Sequence, residues 1–509
     1  MKLRLGQLFG EHMVLQQGKN IPVWGTSVNR DEITVILNGI EKKTETVNGR
    51  FEVCFDPMEA VSKTSLTVRS EKLDEEICFK DVAIGEVWLA GGQSNMEFLF
   101  KYDFDREETM KTEDDDLLRC FTCPQTPFTG FEEKEVLPDY GFWRRWKDEE
   151  ERIMFSAVGA YMGRILREKL HVPVGIISCN WGGTPAAAWT AMEELSANEK
   201  LKPIFEEYEE SLKQIDLRKY YESAAKPLPL PTKQMLEFTD RFMMGEDMTE
   251  FFKNMGNMPK PDPSLWNAYT ISPLSAVKHC SLYENMLKKV APYAIKGFLW
   301  YQGEDDDARE RIDYYDESMI ALIKSWRGLW KEELPFYQVE LAPFRGVGIT
   351  AAKRYHVMRE KQYEASRALP EVYEICILDA GEEYNIHPRH KKIVGERLGR
   401  IVMKHSYGDE SLTADCPRFV DAIREDHKIV IRFDNCADGL KTEGNLKESL
   451  FLEEQDRAID YDYETDRDEL ILKGSFSEKV SISYCYSNYC VAVLYNSEGQ
   501  PAFGFACEV

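Results

Sequence analysis

Residues 85–97 read Gly-Glu-Val-Trp-Leu-Ala-Gly-Gly-Gln-Ser-Asn-Met-Glu. The apolar segment from Val87 to Ala90 predicts a short strand, and the two glycines after it allow the backbone to turn sharply and lie close to a ligand. Ser94 follows directly, where open α/β sheets place their ligand-binding residues. The local pattern fits two roles for Ser94, a helix cap and a catalytic nucleophile.

The rest of the chain divides by pattern into three regions, as its length of 509 residues suggests. Residues 1–80 read as short β-branched strands separated by turn signals, which predicts an N-terminal domain resembling a β-sandwich. In residues 81–408 strands alternate with helices, which predicts an α/β domain with a parallel sheet and helices on both faces. Residues 409–509 return to strands and predict a C-terminal β-rich domain.

Two polar, acidic segments interrupt the α/β region, at about residues 100–150 and 192–265. The second contains a Lys-Pro-Leu-Pro-Leu-Pro run at residues 226–231, which predicts a rigid, extended connector. Each segment fits either a cap over a site or a solvated surface insertion.

The charge balance limits the partners. The chain has 64 basic and 89 acidic residues, a net charge of −25. Such a field repels nucleic acids and anionic membranes, so neither is expected as a partner. A small anionic ligand in a local basic pocket stays compatible with this charge.

Signals for export, membrane insertion and metal binding are missing from the sequence. The first residues lack the apolar core of a signal peptide, and no apolar run is long enough to span a bilayer, so we expect a cytoplasmic location. The twelve cysteines are scattered without zinc-ribbon spacing, which predicts reduced thiols and no metal site. The oligomeric state is open.

Four stretches with polar side chains fall at the ends of predicted strands in the α/β region. They are residues 91–97, 178–185, 300–304 and 385–388. Because the carboxyl ends of parallel strands share one edge of a sheet, we expect the four stretches to converge. Together they hold a hydroxyl, a histidine and several hydrogen-bond donors, which is the set that acyl transfer requires.

Acyl transfer by a serine needs a base and an oxyanion site. A serine hydroxyl is a weak nucleophile at neutral pH, so a histidine must take its proton. The charge that develops on the carbonyl oxygen needs fixed donors. The candidate donors are the backbone N–H groups of Ser94 and Gly183 and the side-chain amide of Gln302.

Several blocks together resemble one family. Gly-Gly-Gln-Ser-Asn-Met-Glu, Trp-Gly-Gly-Thr-Pro-Ala-Ala-Ala-Trp, Trp-Tyr-Gln-Gly-Glu and Ile-His-Pro-Arg-His-Lys are similar, in this order, to the blocks of the sialate O-acetylesterase family of Ser-Gly-Asn-His (SGNH) hydrolases. The likeness spans about residues 8–400. It implies an SGNH-like α/β fold and hydrolysis of carbohydrate O-acetyl groups through an acetyl-serine intermediate, with no metal or organic cofactor.

The resemblance also assigns roles to matching positions. It implies that Ser94 is the nucleophile, that His387 is the general base, and that Gly183 and Gln302 lie around the oxyanion. Substrate contacts are expected from Gln93, Asn95, Trp181 and Tyr301. For Trp88 and Trp300 we expect packing in the core.

The group that orients His387 departs from the family pattern. Many relatives carry Asp two residues before the histidine, where this chain has Asn385, and a more distant pattern has Asp three before it, where this chain has Tyr384. Asn385 can orient the ring by an uncharged hydrogen bond, or the site can work as a Ser–His dyad helped by Glu304 or a carbonyl. A nearby acid is the third interpretation: Asp379, Glu382 or Glu383.

A second departure is the acidic run at residues 304–307, Glu-Asp-Asp-Asp, where relatives often have Glu-Ser-Asn. Three aspartates beside a site could bind a cation. We expect instead a solvated acidic loop.

Two hypotheses about function follow. The first is a metal-independent serine esterase whose substrate is an acetylated sugar or oligosaccharide, either a sialic acid or a fragment of a plant polysaccharide. The second is a carbohydrate-binding protein on the same fold with little or no catalysis, motivated by the missing Asp at position 385.

Overall fold

The computed structural model describes residues 2–112, 114–131, 139–226, 232–255, 262–425, 427–455, 457–476 and 479–509. From Pro227 onward, the predicted proline connector lies outside these residues. Backbone contacts divide the chain into two units. The first comprises residues 1–236, 260–302 and 317–336, and the second comprises residues 237–259, 303–316 and 337–509. The domain boundaries predicted near residues 80 and 408 stay predictions.

The strands and helices follow in chain order. The strands are β1 (Arg4–Leu5), β2 (Val14–Gln16), β3 (Ile21–Thr26), β4 (Glu32–Leu37), β5 (Ile40–Glu45), β6 (Arg50–Phe55), β7 (Val61–Ser70), β8 (Glu75–Gly92), β9 (Asp115–Thr122), β10 (Trp143–Trp146), β11 (Val174–Asn180), β12 (Gly297–Tyr301), β13 (Phe336–Val339), β14 (Val372–Ile375), β15 (Arg418–Glu425), β16 (Lys428–Asp434), β17 (Leu440–Thr442), β18 (Leu450–Glu454), β19 (Arg457–Ala458), β20 (Asp462–Asp466), β21 (Glu469–Lys473), β22 (Val480–Tyr484), β23 (Leu494–Asn496) and β24 (Phe505–Glu508). The α-helices are α1 (Ser94–Glu97), α2 (Arg106–Thr109), α3 (Glu149–Arg152), α4 (Ala157–Leu170), α5 (Met192–Ser196), α6 (Lys202–Leu212), α7 (Leu217–Ala224), α8 (Lys233–Met243), α9 (Thr249–Met255), α10 (Lys288–Val290), α11 (Glu304–Ala308), α12 (Tyr315–Trp330), α13 (Tyr355–Ala368) and α14 (Lys391–Tyr407).

The N-terminal part of the first unit is built of antiparallel strands. One sheet has the order β1-β3-β6, and β4 pairs with both β5 and β7 in the other. Buried residues alternate with exposed or half-buried ones along β4 and β6, so each of these strands turns one apolar face inward. The predicted N-terminal β structure is present.

Strand β8 is the longest strand and connects the N-terminal sheet to the site. Its first half pairs with β7 in antiparallel fashion, and its second half lies between β11 and β12, parallel to both. Both neighbours are buried along their whole length, which fits the apolar runs of a parallel sheet covered on both faces. β9 extends the sheet as a parallel strand and β10 adds an antiparallel edge, so the sheet is mixed.

The register of these strands places their carboxyl ends at one level. Gly92 at the end of β8 is level with Asn180 at the end of β11 and with Tyr301 at the end of β12. The segments that follow the three strands therefore start from the same edge, as expected for three of the four polar stretches.

The second unit combines α/β elements with a β-rich C-terminal part. The C-terminal strands form sheets of order β15-β16-β21-β20 and β19-β18-β22-β24, with β17 and β23 as a separate pair. Buried apolar side chains such as Ile431, Leu472 and Phe505 form their core. The predicted α/β class with a β-rich C-terminal region is confirmed, but the sheet is mixed and not purely parallel, because β10 pairs with β9 in antiparallel fashion.

Two helical segments belong to the α/β region. A π-helical turn, Tyr283–Leu287, is followed by the short α10. α14 starts at Lys391, three residues after Pro388. Within the described ranges, no helix is both long and apolar enough to cross a bilayer.

Candidate active site

The turn before Ser94 is fixed against β12. Gly92 has a φ of +134°, and a Cβ atom there would lie 2.2 Å from the carbonyl oxygen of Tyr301, so only glycine fits. The N–H of Gln93 donates to that same carbonyl (3.1 Å). Ser94 is the first residue of α1, and the cap position belongs to Gln93, which makes no side-chain cap bond. Ser94 is therefore not the N-cap.

A four-residue helix is too short to be stable alone, and α4 holds α1 in place. The hydroxyl of Ser156 donates to the carbonyl of Met96 (2.6 Å) and accepts the N–H of Gly159 (3.2 Å), which makes it the cap of α4. The N–H of Ala157 donates to the carbonyl of Phe98 (2.8 Å). The start of α4 thus fixes the end of α1.

The loop after β11 lies directly against Ser94. The N–H of Trp181 donates to the carbonyl of Gly92 (3.1 Å). A Cβ atom on Gly182 would lie 3.1 Å from the Cβ of Ser94, and Gly183 has a φ of +67°. A larger residue at either glycine would displace the loop or strain it, so the glycines let its backbone approach the serine.

Glu97 anchors this loop, and sequence reasoning missed it. Its carboxylate accepts the N–H of Gly182 (2.7 Å) and the amide N–H of Gln125 (3.0 Å). Burial raises the pKa of Glu97, and the two hydrogen bonds counteract that rise. The signal that could have found it is its position three residues after Ser94, one helical turn away.

Gln302 reaches the same place from β12. It is buried, and its side-chain amide donates to the carbonyl of Thr184 (3.2 Å), next to Gly183. The first unit therefore brings together three predicted stretches, with Ser94, Gly183 and Gln302 on them. The fourth stretch, with His387, belongs to the second unit.

The expected substrate-contacting residues are all buried: Gln93, Asn95, Trp181 and Tyr301. Trp88 and Trp300 are core residues, as expected. An aromatic residue that sequence reasoning missed is Tyr269, which is 57% exposed and whose ring lies 3.4 Å from a Cβ atom built on Gly183. Its local sequence carries no signal for this placement.

A network of hydrogen bonds holds the turn that carries His387. The side chain of Asn385 accepts the backbone N–H of His387 (3.0 Å) and donates to Glu382 (3.1 Å). Glu382 also accepts the backbone N–H of Arg389 (2.7 Å). Asn385 thus holds the main chain of the turn. The three interpretations of how the His387 ring is oriented stay predictions.

The other two candidate acids have cationic partners. Asp379 binds the guanidinium of Arg397 through both oxygens, at 2.6 Å each. Glu383 pairs with Arg345 at 2.7 Å. Both carboxylates are thus engaged in ion pairs.

The imidazole of His387 is only 6% exposed. The ring of Phe242, on α8, packs against it in a T-shaped arrangement, with centroids 5.1 Å apart and planes at 74°. Burial lowers the pKa of His387 to about 3, and the ammonium of Lys391 adds to the effect. At neutral pH the ring is uncharged, which is the form that accepts a proton.

The expectation of a solvated acidic loop at residues 304–307 is wrong. These residues start the short helix α11, on which Glu304, Asp306 and Asp307 are buried. Asp307 accepts the N–H groups of Lys353 and Arg354, both at 2.8 Å, and Asp305 pairs with Arg309. The described residues contain no group of three or more His, Cys, Asp or Glu side chains that could hold a metal ion.

Comparisons with known proteins identify relatives. Residues 265–403 match the carbohydrate esterase family described as sialic acid-specific acetylesterases. Sialate O-acetylesterases of Homo sapiens and Rattus norvegicus are 23% and 25% identical, over 81% of this chain and 73% and 75% of those proteins. A crystal structure of a carbohydrate acetylesterase from Xanthomonas citri shares the fold, with a TM-score of 0.76 and 24% identity over 99% of both chains.

The family match and the curated relatives confirm the resemblance predicted from the four sequence blocks. The fold shared with an acetylesterase agrees with them. Residues 265–403 therefore match the sialic acid-specific acetylesterase family of carbohydrate esterases, and with the curated relatives this match supports a carboxylic ester hydrolase.

Proposed function

We propose that the protein is a metal-independent serine esterase that removes O-acetyl groups from sugars, on an SGNH-type sheet. The observation that carries the proposal is the packing of the Gly182–Gly183 loop against Ser94, with Gln302 bound to the same loop. This packing supports the proposal because an acyl-transfer site requires fixed hydrogen-bond donors near its nucleophile.

In the proposed reaction, neutral His387 takes the proton of Ser94 as the hydroxyl attacks the acetyl carbonyl. The C–O bond to the sugar then breaks, and His387 returns the proton to the departing sugar oxygen. A water molecule, deprotonated by His387, attacks the acetyl-serine, and acetate leaves as Ser94 regains its proton. The products are the free sugar hydroxyl and acetate.

The backbone N–H groups of Ser94 and Gly183 and the amide of Gln302 are the proposed oxyanion donors. Each such donor contributes roughly 3–4 kcal/mol to lowering the barrier in comparable sites. Gln302 suits this role because its amide is tied to Thr184 and does not have to be ordered during the reaction.

Asn385 is proposed to act as a positioning residue through the main chain. Its hydrogen bond to the backbone N–H of His387 supports this role. In the serine-protease case, Asp-to-Asn replacement costs about four orders of magnitude because the histidine takes the wrong tautomer. That loss arises at a residue bonded to the imidazole ring, whereas the bond described for Asn385 is to the backbone of His387.

Acetylated sugars are the proposed substrates because of the names of the relatives, sialate O-acetylesterases and a carbohydrate acetylesterase. The test compares wild type with Ser94→Ala, using p-nitrophenyl acetate and acetate release from acetylated glycans. We expect the variant to fall to the background rate. Equal rates for the two proteins would refute the serine mechanism and favour a carbohydrate-binding role.

A further inference from the structure

A groove beside His387 points to the kind of sugar that the protein prefers. Residues of α8, of α9 and of the segment between them face the loop that leads to His387, and together they enclose a volume of about 520 Å³. This volume lies within the range of ligand-binding pockets. Phe242 and Asn385 line the groove, and both contact His387, so it adjoins the proposed general base.

Aromatic side chains give the groove surfaces for a sugar ring. Tyr384 lines it and is 56% exposed, although it follows two acidic residues in a polar loop. Phe242 and Phe252 also line the groove and pack against each other with ring centroids 5.5 Å apart. Exposed rings next to polar groups suit the apolar faces and the hydroxyls of a carbohydrate.

The charged groups that line the groove have ion-pair partners next to it. Lys253 lines the groove and pairs with Glu250 at 3.1 Å. The lining carboxylates Glu246 and Glu383 pair with Arg241 and Arg345, both at 2.7 Å. A sugar carboxylate is bound best by a guanidinium that can offer two parallel N–H groups to it. Such a ligand would have to displace these pairs.

Further carboxylates strengthen the acidic character. Asp247 and Glu382 also line the groove. Among its lining residues the four carboxylates, of Glu246, Asp247, Glu382 and Glu383, outnumber the one ammonium of Lys253, in a protein whose net charge is −25. The field at the groove therefore disfavours an anion.

We infer that this groove binds uncharged sugar residues, so that the protein prefers neutral acetylated oligosaccharides to acetylated sialic acid. The inference rests on the proposed esterase function. Carboxylates accept hydrogen bonds from sugar hydroxyls, and Tyr384 offers a ring face for stacking.

The test isolates the charge of the ligand. Hydrolysis of 9-O-acetyl sialic acid is compared with that of its methyl ester, which differs by one negative charge, at low and high salt. We expect kcat/KM to be about fivefold higher for the methyl ester at low salt, and the difference to shrink at high salt. A free acid that is hydrolysed as well as its ester would overturn the inference.

Variants test whether the preference against the charged ligand arises in the groove. Glu383→Gln removes a carboxylate and releases Arg345. The ratio of kcat/KM for the methyl ester to kcat/KM for the free acid should therefore fall toward one. Glu364→Gln, which removes a carboxylate paired with Lys361 outside the groove, is the matched control and should leave the ratio unchanged. In Tyr384→Ala, kcat/KM for an acetylated neutral oligosaccharide should fall relative to that for p-nitrophenyl acetate.

These outcomes separate the inference from the proposed function. Loss of p-nitrophenyl acetate hydrolysis in Ser94→Ala supports the esterase mechanism whatever the ester-to-acid ratio is. An unchanged ratio in Glu383→Gln, with normal folding, would refute the role of the groove and leave that mechanism standing.

Discussion

His387 owes its protonation state to its surroundings. Burial keeps its pKa near 3, so the imidazole stays neutral well below the usual range of histidine. Phe242 supplies part of that burial from a helix of the second acidic segment. A general base of this kind should support catalysis into mildly acidic solution.

Phe242→Ala should raise the pKa of His387, because water then reaches the imidazole and stabilises its charged form. A higher pKa means that the base becomes protonated at higher pH, so the acidic limb of the kcat/KM profile should move up, toward about pH 6.5. The measurement is a pH–rate profile with p-nitrophenyl acetate. Phe251→Ala, which alters a neighbouring ring that packs on Phe238, is the control. If the acidic limb of the kcat/KM profile does not move in Phe242→Ala, packing of Phe242 is not what lowers the pKa of His387.

At this scale the sequence indicated Ser94, Gly183, Gln302 and His387, because each lies in a short, recognisable block. It did not indicate the contacts that hold them. Glu97 binds a loop 85 residues away, and Asp307 binds N–H groups 46 and 47 residues away. Such partners depend on the folded chain, which is why the acidic run was misread as a solvated loop.

At the scale of elements, the site depends on short pieces that hold one another. α1 has a single turn and gains its stability from the start of α4. Ser156 links the two through one hydroxyl, which caps α4 and binds the carbonyl of Met96. Loss of that hydroxyl should therefore affect both helices.

Ser156→Ala should lower the free energy of unfolding by about 1–3 kcal/mol, because it removes a helix cap and leaves a buried carbonyl without its donor. It should also lower kcat, since α1 carries Ser94. Urea unfolding and steady-state kinetics measure the two effects. Ser196→Ala, which removes an exposed hydroxyl bound to the carbonyl of Glu193, is the matched control. Equal stability of the two variants would argue against this role for Ser156.

The order of the strands and helices was largely predictable, and their ends were less so. Val87 to Ala90 was expected to be a short strand, yet β8 spans Glu75–Gly92. Residues 75–81 alternate between half-buried and exposed positions, whereas residues 82–92 are all buried. The first part of β8 therefore has one face toward solvent, whereas the second part is covered on both faces. For this reason no single hydrophobic period describes the whole strand.

At the scale of the molecule, buried charge makes stability depend on pH. Glu374 on β14 forms an ion pair with Arg418 on β15. Burial nevertheless raises the pKa of Glu374 to about 7, while the guanidinium counteracts that rise. The folded protein therefore binds a proton that the unfolded chain has already lost, between about pH 4.5 and pH 7.

Because the folded state binds more protons in this window, the contribution of Glu374 to stability should fall as pH rises from 4.5 to 7. The change in the free energy of unfolding should not exceed roughly 3.5 kcal/mol. Urea unfolding across this range, with wild type and Glu374→Gln, measures the slope. In Glu374→Gln the free energy of unfolding should change less with pH than in wild type. A larger change would contradict the raised pKa of Glu374 in the folded protein. Glu371→Gln, at the exposed end of the same segment, is the control.

Strand β8 also has a consequence for protein engineering. The residues that pair with β7 and those that lead into Ser94 belong to one uninterrupted backbone. The N-terminal sheet is therefore not a detachable module. Cutting the chain near residue 80 would remove β7 as the neighbour of β8 and create an exposed strand edge, the kind of surface on which chains aggregate. Circular permutation or fusion should instead use loop tips away from β8.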